Sequence, residues 1–127
     1  MNNDFIARKG YDRPVSMSCP AGASTTIFTE KVPNGTHLRL THLSNYAQDA
    51  ASWGLLTWSI RVNDVPTKFY GSFSDWYGDL SQMHEMGDPI LAQPGDTITV
   101  IVTNAAGVDY IAGIGFRGAF GSPVRGR

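Results

Sequence analysis

Short stretches in which hydrophobic and polar residues alternate recur along the chain, and turn sequences separate them. The clearest is residues 55–63, LLTWSIRVN, which would place four large apolar side chains on one face of an extended strand and polar side chains on the other. This two-residue period is that of a half-buried β-strand. Strands of the same kind are predicted at residues 24–32, 36–43, 97–103 and 109–120.

The last of these strands has two different faces. Its first face carries side chains suited to a core: Tyr110, Ala112, Ile114 and Phe116. Its second face includes Gly113 and Gly115. Glycine inside a strand leaves room for another backbone or for a partner molecule. We therefore predict that the first face joins the core and that the second face packs closely against a neighbour.

Two of the turn sequences predict hairpins. Residues 33–35, PNG, follow the strand 24–32, and residues 104–107, NAAG, follow the strand 97–103. Short turns with Gly and Asn between β-type runs are typical of antiparallel hairpins. We therefore predict that the strands before and after each turn lie side by side in one sheet.

The segments between these strands lack a sustained helical period. Residues 45–54 are predicted as a loop or a short helical turn, residues 65–71 as a short edge strand, and residues 72–83 as an aromatic-rich loop with a helical turn. A further strand is predicted to begin at Ile90 and Leu91. Seven or eight short strands with regular turn signals indicate an all-β sandwich or barrel.

Residues 1–23 show no period and are predicted to form an extended arm. Its isolated apolar residues are Phe5, Ile6 and Tyr11. A terminal segment of this kind becomes ordered where it lies on a surface. The arm is therefore expected either to wrap over its own domain or to cross to a neighbouring subunit.

Charge is low and unevenly distributed. Charged residues make up 17% of the 127 residues and the net charge is −1, which does not indicate a nucleic-acid partner. Residues 44–96 contain seven acids and two bases, whereas the only charged residues after Asp109 are the bases Arg117, Arg125 and Arg127. This distribution fits a solvated surface with a loose tail, or a basic tail that docks on an acidic partner or a neighbouring subunit.

Cys19 is the only cysteine, so no intrachain disulfide is predicted and the thiol is expected to be inert. The first residues, MNNDFIARKG, lack the apolar run of a signal peptide. No stretch approaches the roughly 20 apolar residues of a membrane span. We therefore expect synthesis in a reducing cytoplasm and no membrane partner.

No catalytic or cofactor-binding motif is predicted. Residues 113–118, GIGFRG, match the dinucleotide pattern GxGxxG, but that pattern has to lie between a strand and a helix. His37 and His42 are five residues apart on one predicted strand, which sends them to opposite faces unless the strand is bulged. His84 has no second histidine at a zinc-ligand spacing. The sequence therefore predicts no enzyme activity, no catalytic residue and no cofactor.

Four carboxylates lie close together in the sequence: Asp75, Asp79, Glu85 and Asp88. A glycosidase needs two that face each other across a cleft, and Ca²⁺ needs several oxygen ligands. Spacing along a loop establishes neither arrangement. No metal site is predicted, and whether these residues bind a metal is left open.

An aromatic insertion is the best candidate for a binding site: Phe69, Tyr70, Phe73, Trp76 and Tyr77. Such rings can cap the sandwich, anchor a protein interface or form a platform for a sugar. Stacking on single-stranded nucleic acid is disfavoured, because no basic residue lies between Lys68 and Arg117. The candidate residues for contact with a partner or ligand are Phe73, Trp76 and Tyr77.

The chain resembles the small decoration, or cement, proteins on the capsids of tailed bacteriophages. The resemblance rests on residues 94–120, PGDTITVIVTNAAGVDYIAGIGFRGAF, and on the layout of a free arm, a compact β body and a short basic tail. It implies a single antiparallel β-sandwich of jelly-roll type with about eight strands and an extended N-terminal arm. The implied arm, β-sandwich domain and basic tail are residues 1–23, 24–120 and 121–127.

The resemblance further implies a non-enzymatic structural protein on the capsid surface of the virion. Such a protein would form a dimer or trimer, bind and bridge subunits of the major capsid protein, and stabilise the phage head. The expected contact residues are Phe5, Ile6, Tyr11, Trp76, Tyr77, Arg125 and Arg127. One alternative is a carbohydrate-binding β-sandwich, either a module or a host-recognition part of a virion. Another is a small hydrolase with Asp75, Asp79 or Glu85 as acid and base.

Overall fold

Two four-stranded antiparallel sheets pack face to face in the computed structural model, which describes residues 5–123. Their strands are β1 (Phe5–Cys19), β2 (Ser24–Lys31), β3 (His37–Ala47), β4 (Leu56–Val62), β5 (Val65–Pro66), β6 (His84–Ala92), β7 (Thr97–Asn104) and β8 (Tyr110–Pro123). Helical structure among the described residues is limited to one 3₁₀ turn, Ala50–Ser52. The prediction of an all-β sandwich is confirmed.

The two predicted hairpins are wrong, because the chain changes sheet at both turns. Sheet A has the strand order β1-β8-β3-β6, and sheet B has the order β2-β7-β4-β5. Just after β2, Val32 still exchanges backbone hydrogen bonds with Asp96 and Gly95 (N···O 2.8 and 2.9 Å), so the chain stays beside β7 up to the turn. A turn sequence such as PNG favours a chain reversal, but it does not determine which sheet the next strand joins.

Trp58 links the two sheets through the core. Its side chain is fully buried, and its indole N–H donates to the backbone oxygen of Gly113 in the opposite sheet (3.0 Å). Its ring stacks against Trp53 and Phe73, with ring centroids 5.4 and 6.0 Å away. The predicted inward face of β8 belongs to the same core: Ala112, Ile114 and Phe116.

Residues 5–19, in the segment predicted as an arm, form an edge strand of sheet A. β1 pairs with β8 along its length, with one register shift. Tyr11 is buried, and its hydroxyl donates to Oε1 of Glu30 on β2 (2.9 Å), which also accepts from Arg13 (2.8 Å). Burial and the bond to Glu30 raise the pKa of Tyr11. These bonds join the edges of the two sheets, so in this chain the arm lies on its own domain.

A register shift interrupts β3 between Leu40 and His42. Leu38, Leu40 and Leu43 are all buried, although an unbroken strand would turn Leu40 and Leu43 to opposite faces. The extra residue of a bulge accounts for this change in alternation. His37 and His42, predicted to face opposite ways unless the strand was bulged, therefore both lie on its outward side.

The Cys19 thiol should be unreactive in the folded protein. The residue is fully buried, and burial raises the pKa of the thiol, so little thiolate forms and a reagent cannot reach it. We expect no reaction with Ellman's reagent under native conditions and full reaction after unfolding in urea. Ser18→Cys in a Cys19→Ala background is the matched control, because Ser18 is exposed. A native wild-type thiol that reacted as fast as this control would show that the buried position is wrong.

Candidate functional site

The aromatic insertion between β5 and β6 contains both buried and exposed rings. Tyr70 and Phe73 are buried, and Tyr77 packs against both, with ring centroids 6.0 and 5.1 Å away. Phe73 also continues sheet B, because it exchanges two backbone hydrogen bonds with Trp58 (2.8 and 2.9 Å). These three rings therefore pack in or against the hydrophobic core, whereas the ring of Trp76 lies outside it.

Hydrogen bonds on both sides of Trp76 hold its backbone in place. Nδ2 of the buried Asn45 donates to the backbone oxygen of Asp75 (2.9 Å), and Oδ1 of Asn45 accepts from the backbone N–H of Tyr77 (2.7 Å). Asn45 thereby fixes the insertion against β3. The Trp76 side chain is 60% exposed, so a large ring is presented to solvent from a fixed backbone.

The tip of the insertion is a turn organised by Asp79. Its Oδ1 accepts from the Ser81 hydroxyl (2.7 Å) and from the backbone N–H groups of Ser81 and Gln82 (both 2.9 Å). The bond from the Ser81 hydroxyl, with those from the two N–H groups, lowers the pKa of Asp79. Leu80 is exposed at this tip. The helical turn predicted within residues 72–83 is wrong, because a side-chain-to-backbone turn takes its place.

A groove of about 920 Å³ lies between this insertion and the outward face of sheet A. Pro14 and Ser16 on β1 and Tyr46 on β3 line its sheet side, and Trp76 and Leu80 line its insertion side. We call this feature the outer groove. It is the candidate functional site of the chain.

Two glycines of β8 leave room for the outer groove. A Cβ atom at Gly115 would lie 2.7 Å from Oγ of Ser44 and 3.1 Å from Cδ2 of Leu80, and one at Gly113 would lie 3.1 Å from Cβ of Ser16. Side chains at these positions would fill the space between the sheet and the insertion. The prediction of close packing on this face of β8 is confirmed at these two glycines, and the insertion of the same chain supplies part of the neighbour.

The outer groove carries little charge. Asp79 is the only acidic residue among those that line it, and none of them is Lys, Arg or His. The Asp79 carboxylate, whose pKa is lowered by its hydrogen bonds, is ionised near neutral pH. The groove is therefore suited to a neutral or weakly cationic ligand rather than to an anion.

The candidate contact residues do not form one site. Trp76 lines the outer groove. Tyr11 and Phe73 are buried, and Tyr77 packs against the core. Their contact with a partner stays a prediction.

Phe5 and Ile6 lie on a second surface, at the start of β1. Ile6 is 50% exposed, and Phe5 pairs with Pro123. The two ends of the described chain therefore lie side by side. Arg125 and Arg127 lie outside the described residues.

Tyr46 and Leu80 line the outer groove but were not predicted as site residues. The sequence predicts a loop at residues 45–54, which would include Tyr46, whereas β3 continues through Ala47. Tyr46 pairs with Gly113 of β8. Gly113 stands out in the sequence as a glycine inside a predicted strand. The residue that lies opposite it, Tyr46, can be identified only from the pairing of β3 with β8.

The described carboxylates, histidines and cysteine include no group of three or more placed to hold a metal ion. Within residues 5–123 there is also no helix long and apolar enough to cross a membrane. No protein-family model and no curated protein matches the sequence.

Proposed function

We propose that the chain is a non-enzymatic structural protein of a phage virion, a decoration or cement protein of the capsid surface. It binds subunits of the major capsid protein, bridges them as a dimer or trimer, and stabilises the head. It is made in the host cytoplasm and then assembles onto the capsid. The strand order of the sandwich carries this proposal, together with the sequence resemblance.

The strand order supports a fold of jelly-roll type. Winding an eight-stranded antiparallel ribbon into two Greek keys puts the first, eighth, third and sixth strands in one sheet and the other four in the second. The order here is β1-β8-β3-β6 facing β2-β7-β4-β5. Viral capsid domains and lectins are among the proteins built on this architecture.

The capsid-binding surface that we propose lies at the start of β1. Ile6 exposes apolar surface there, and Phe5 is paired with Pro123, after which the basic tail follows. Apolar contacts from the arm and positive charge from Arg125 and Arg127 would act on the same partner. Binding of many copies to a repeating lattice adds to the affinity of each contact.

Ile6→Asp is expected to weaken capsid binding at least about tenfold, because it puts a carboxylate into an apolar contact. Capsids assembled without this protein, from the major capsid protein of the same phage, are mixed with a concentration series of each variant and sedimented. Val108→Asp is the matched control, since Val108 is similarly exposed (55%) but lies between β7 and β8. It should bind like the wild type.

Wild-type protein should saturate at a fixed number of copies per capsid and raise the temperature at which the capsid opens. Wild-type protein that stays in the supernatant at micromolar concentration would refute the decoration role. Equal binding by Ile6→Asp and Val108→Asp would refute the proposed surface while leaving that role in place.

A further inference from the structure

We propose that the outer groove is a carbohydrate-binding site, which takes a neutral saccharide chain built from hexose or N-acetylhexosamine units. This activity goes beyond capsid attachment and does not depend on it. It rests on the rings, the hydrogen-bonding groups and the charge of the groove.

Trp76 and Tyr46 supply the apolar faces on which a sugar ring packs. Both side chains are at least half exposed, and within residues 5–123 neither ring contacts another aromatic ring. The C–H groups on one face of a pyranose can pack on such a free ring, while its hydroxyls point outward. Because Asn45 fixes the backbone on both sides of Trp76, this platform needs little ordering on binding.

Hydrogen-bonding groups lie beside the two rings. Asp79 uses its Oδ1 for all three bonds of the turn, which leaves its Oδ2 to accept from a sugar hydroxyl. Ser16 and Ser44 also line the groove, and their hydroxyls can donate or accept. A few polar groups in a mainly apolar concavity of this volume are typical of a small-ligand site.

The chemistry of the groove disfavours phosphate and nucleic acid. No Lys, Arg or His lines it, so the phosphate groups of such a ligand would find no cation. A neutral saccharide requires none.

The location of the groove also disfavours an extended peptide. Its floor is the face of sheet A, where Gly113 is paired with Ser16 on one side and with Tyr46 on the other. Peptide recognition by strand addition uses the unpaired backbone of an edge strand. In sheet A such a backbone is the outer side of β1, whereas the floor of the groove around Gly113 is a sheet face whose backbone is already paired on both sides. A saccharide binds through ring faces and hydroxyls, and those contacts are available here.

The test uses the full chain and an immobilised panel of neutral hexose and N-acetylhexosamine oligosaccharides. The oligosaccharides that retain the protein are then titrated in solution by calorimetry. We expect at least one to bind, and Trp76→Ala to weaken that binding at least about tenfold, a loss of about 1.4 kcal/mol. Tyr46→Ala should weaken it in the same direction.

Phe69→Ala is the matched control, because Phe69 is 58% exposed but does not line the groove. It should bind like the wild type, and circular dichroism should show the same fold for all three variants. No retention by any saccharide of the panel would overturn the proposal, as would binding that survives both groove substitutions. If Trp76→Ala instead weakened capsid sedimentation and no saccharide bound, the groove would be a protein-binding surface. Sedimentation of the wild-type protein with capsids tests the decoration role separately.

Discussion

Deletion of residues 1–19 is expected to leave a chain that no longer unfolds cooperatively. The deletion removes Tyr11 and Cys19 from the core and removes one of the two strands that pair with β8. Each buried apolar side chain contributes about 1.5–3 kcal/mol, and each hydrogen bond of the ladder about 1 kcal/mol. The total loss is comparable to the whole stability of a small domain, about 5–15 kcal/mol.

Far-UV circular dichroism and urea unfolding measure this loss. The control is a full-length chain with Ser16→Ala and Ser18→Ala on the exposed side of β1, each of which should change the stability by less than about 0.5 kcal/mol. A truncated chain with the unfolding midpoint of the wild type would show that β1 is a dispensable arm rather than part of the sandwich.

Trp58→Ala is expected to lower the free energy of unfolding by about 3–5 kcal/mol. The substitution empties a fully buried site between Trp53 and Phe73 and removes the donor to the backbone oxygen of Gly113. Trp58→Phe keeps most of the volume and removes that donor, so its cost should be smaller, about 1–3 kcal/mol. The midpoint of urea unfolding measures both.

Trp76→Ala is the control for the loss of an indole ring as such. Because Trp76 is mostly exposed, its stability should stay within about 0.5 kcal/mol of the wild type. If Trp58→Phe cost as little as Trp76→Ala, the hydrogen bond between the sheets would not contribute to stability. If Trp58→Ala also changed the free energy of unfolding by no more than about 0.5 kcal/mol, Trp58 would not be part of the core.

The alternation of hydrophobic and polar residues correctly predicted which side chains of β4 and β8 are buried. Leu56, Trp58 and Ile60 on β4 and Ile114 and Phe116 on β8 are buried as expected. These strands alternate because one face of each meets the core and the other does not. The pairing partners could not be obtained in this way, because a buried face fixes the side that a strand turns inward but not the strand beside it.

The sequence predicts no strand at β1 and only the second part of β6, because hydrophobic and polar residues do not alternate regularly along these two strands. On β1, Arg13 lies on the inward side and is satisfied by Glu30 on the opposite sheet, so a charge stands where the pattern requires an apolar residue. β6 was predicted to begin at Ile90 but begins at His84. Its register against β3 shifts between the pairs that include Ile90 and Glu85, and this shift breaks the alternation.

The outer groove could be predicted only in part. Trp76 was found because it stands in an aromatic cluster, but the sequence did not distinguish it from Phe73, which is buried. The two residues differ in their tertiary contacts. Phe73 pairs with Trp58 on sheet B, whereas the residues on either side of Trp76 are hydrogen-bonded to Asn45. Asn45 lies in a segment predicted as a loop, so its anchoring role depends on a contact between distant parts of the chain.

The strand order also determines when the molecule can form during its own synthesis. β1 pairs with β8, and β2 pairs with β7, so the strands made first must wait for the strands made last. Contacts this distant in sequence are associated with folding in milliseconds to seconds. Until β8 leaves the ribosome, the backbone of β1 has no strand to pair with in its own sheet, and closure of the sandwich therefore has to follow the synthesis of β8.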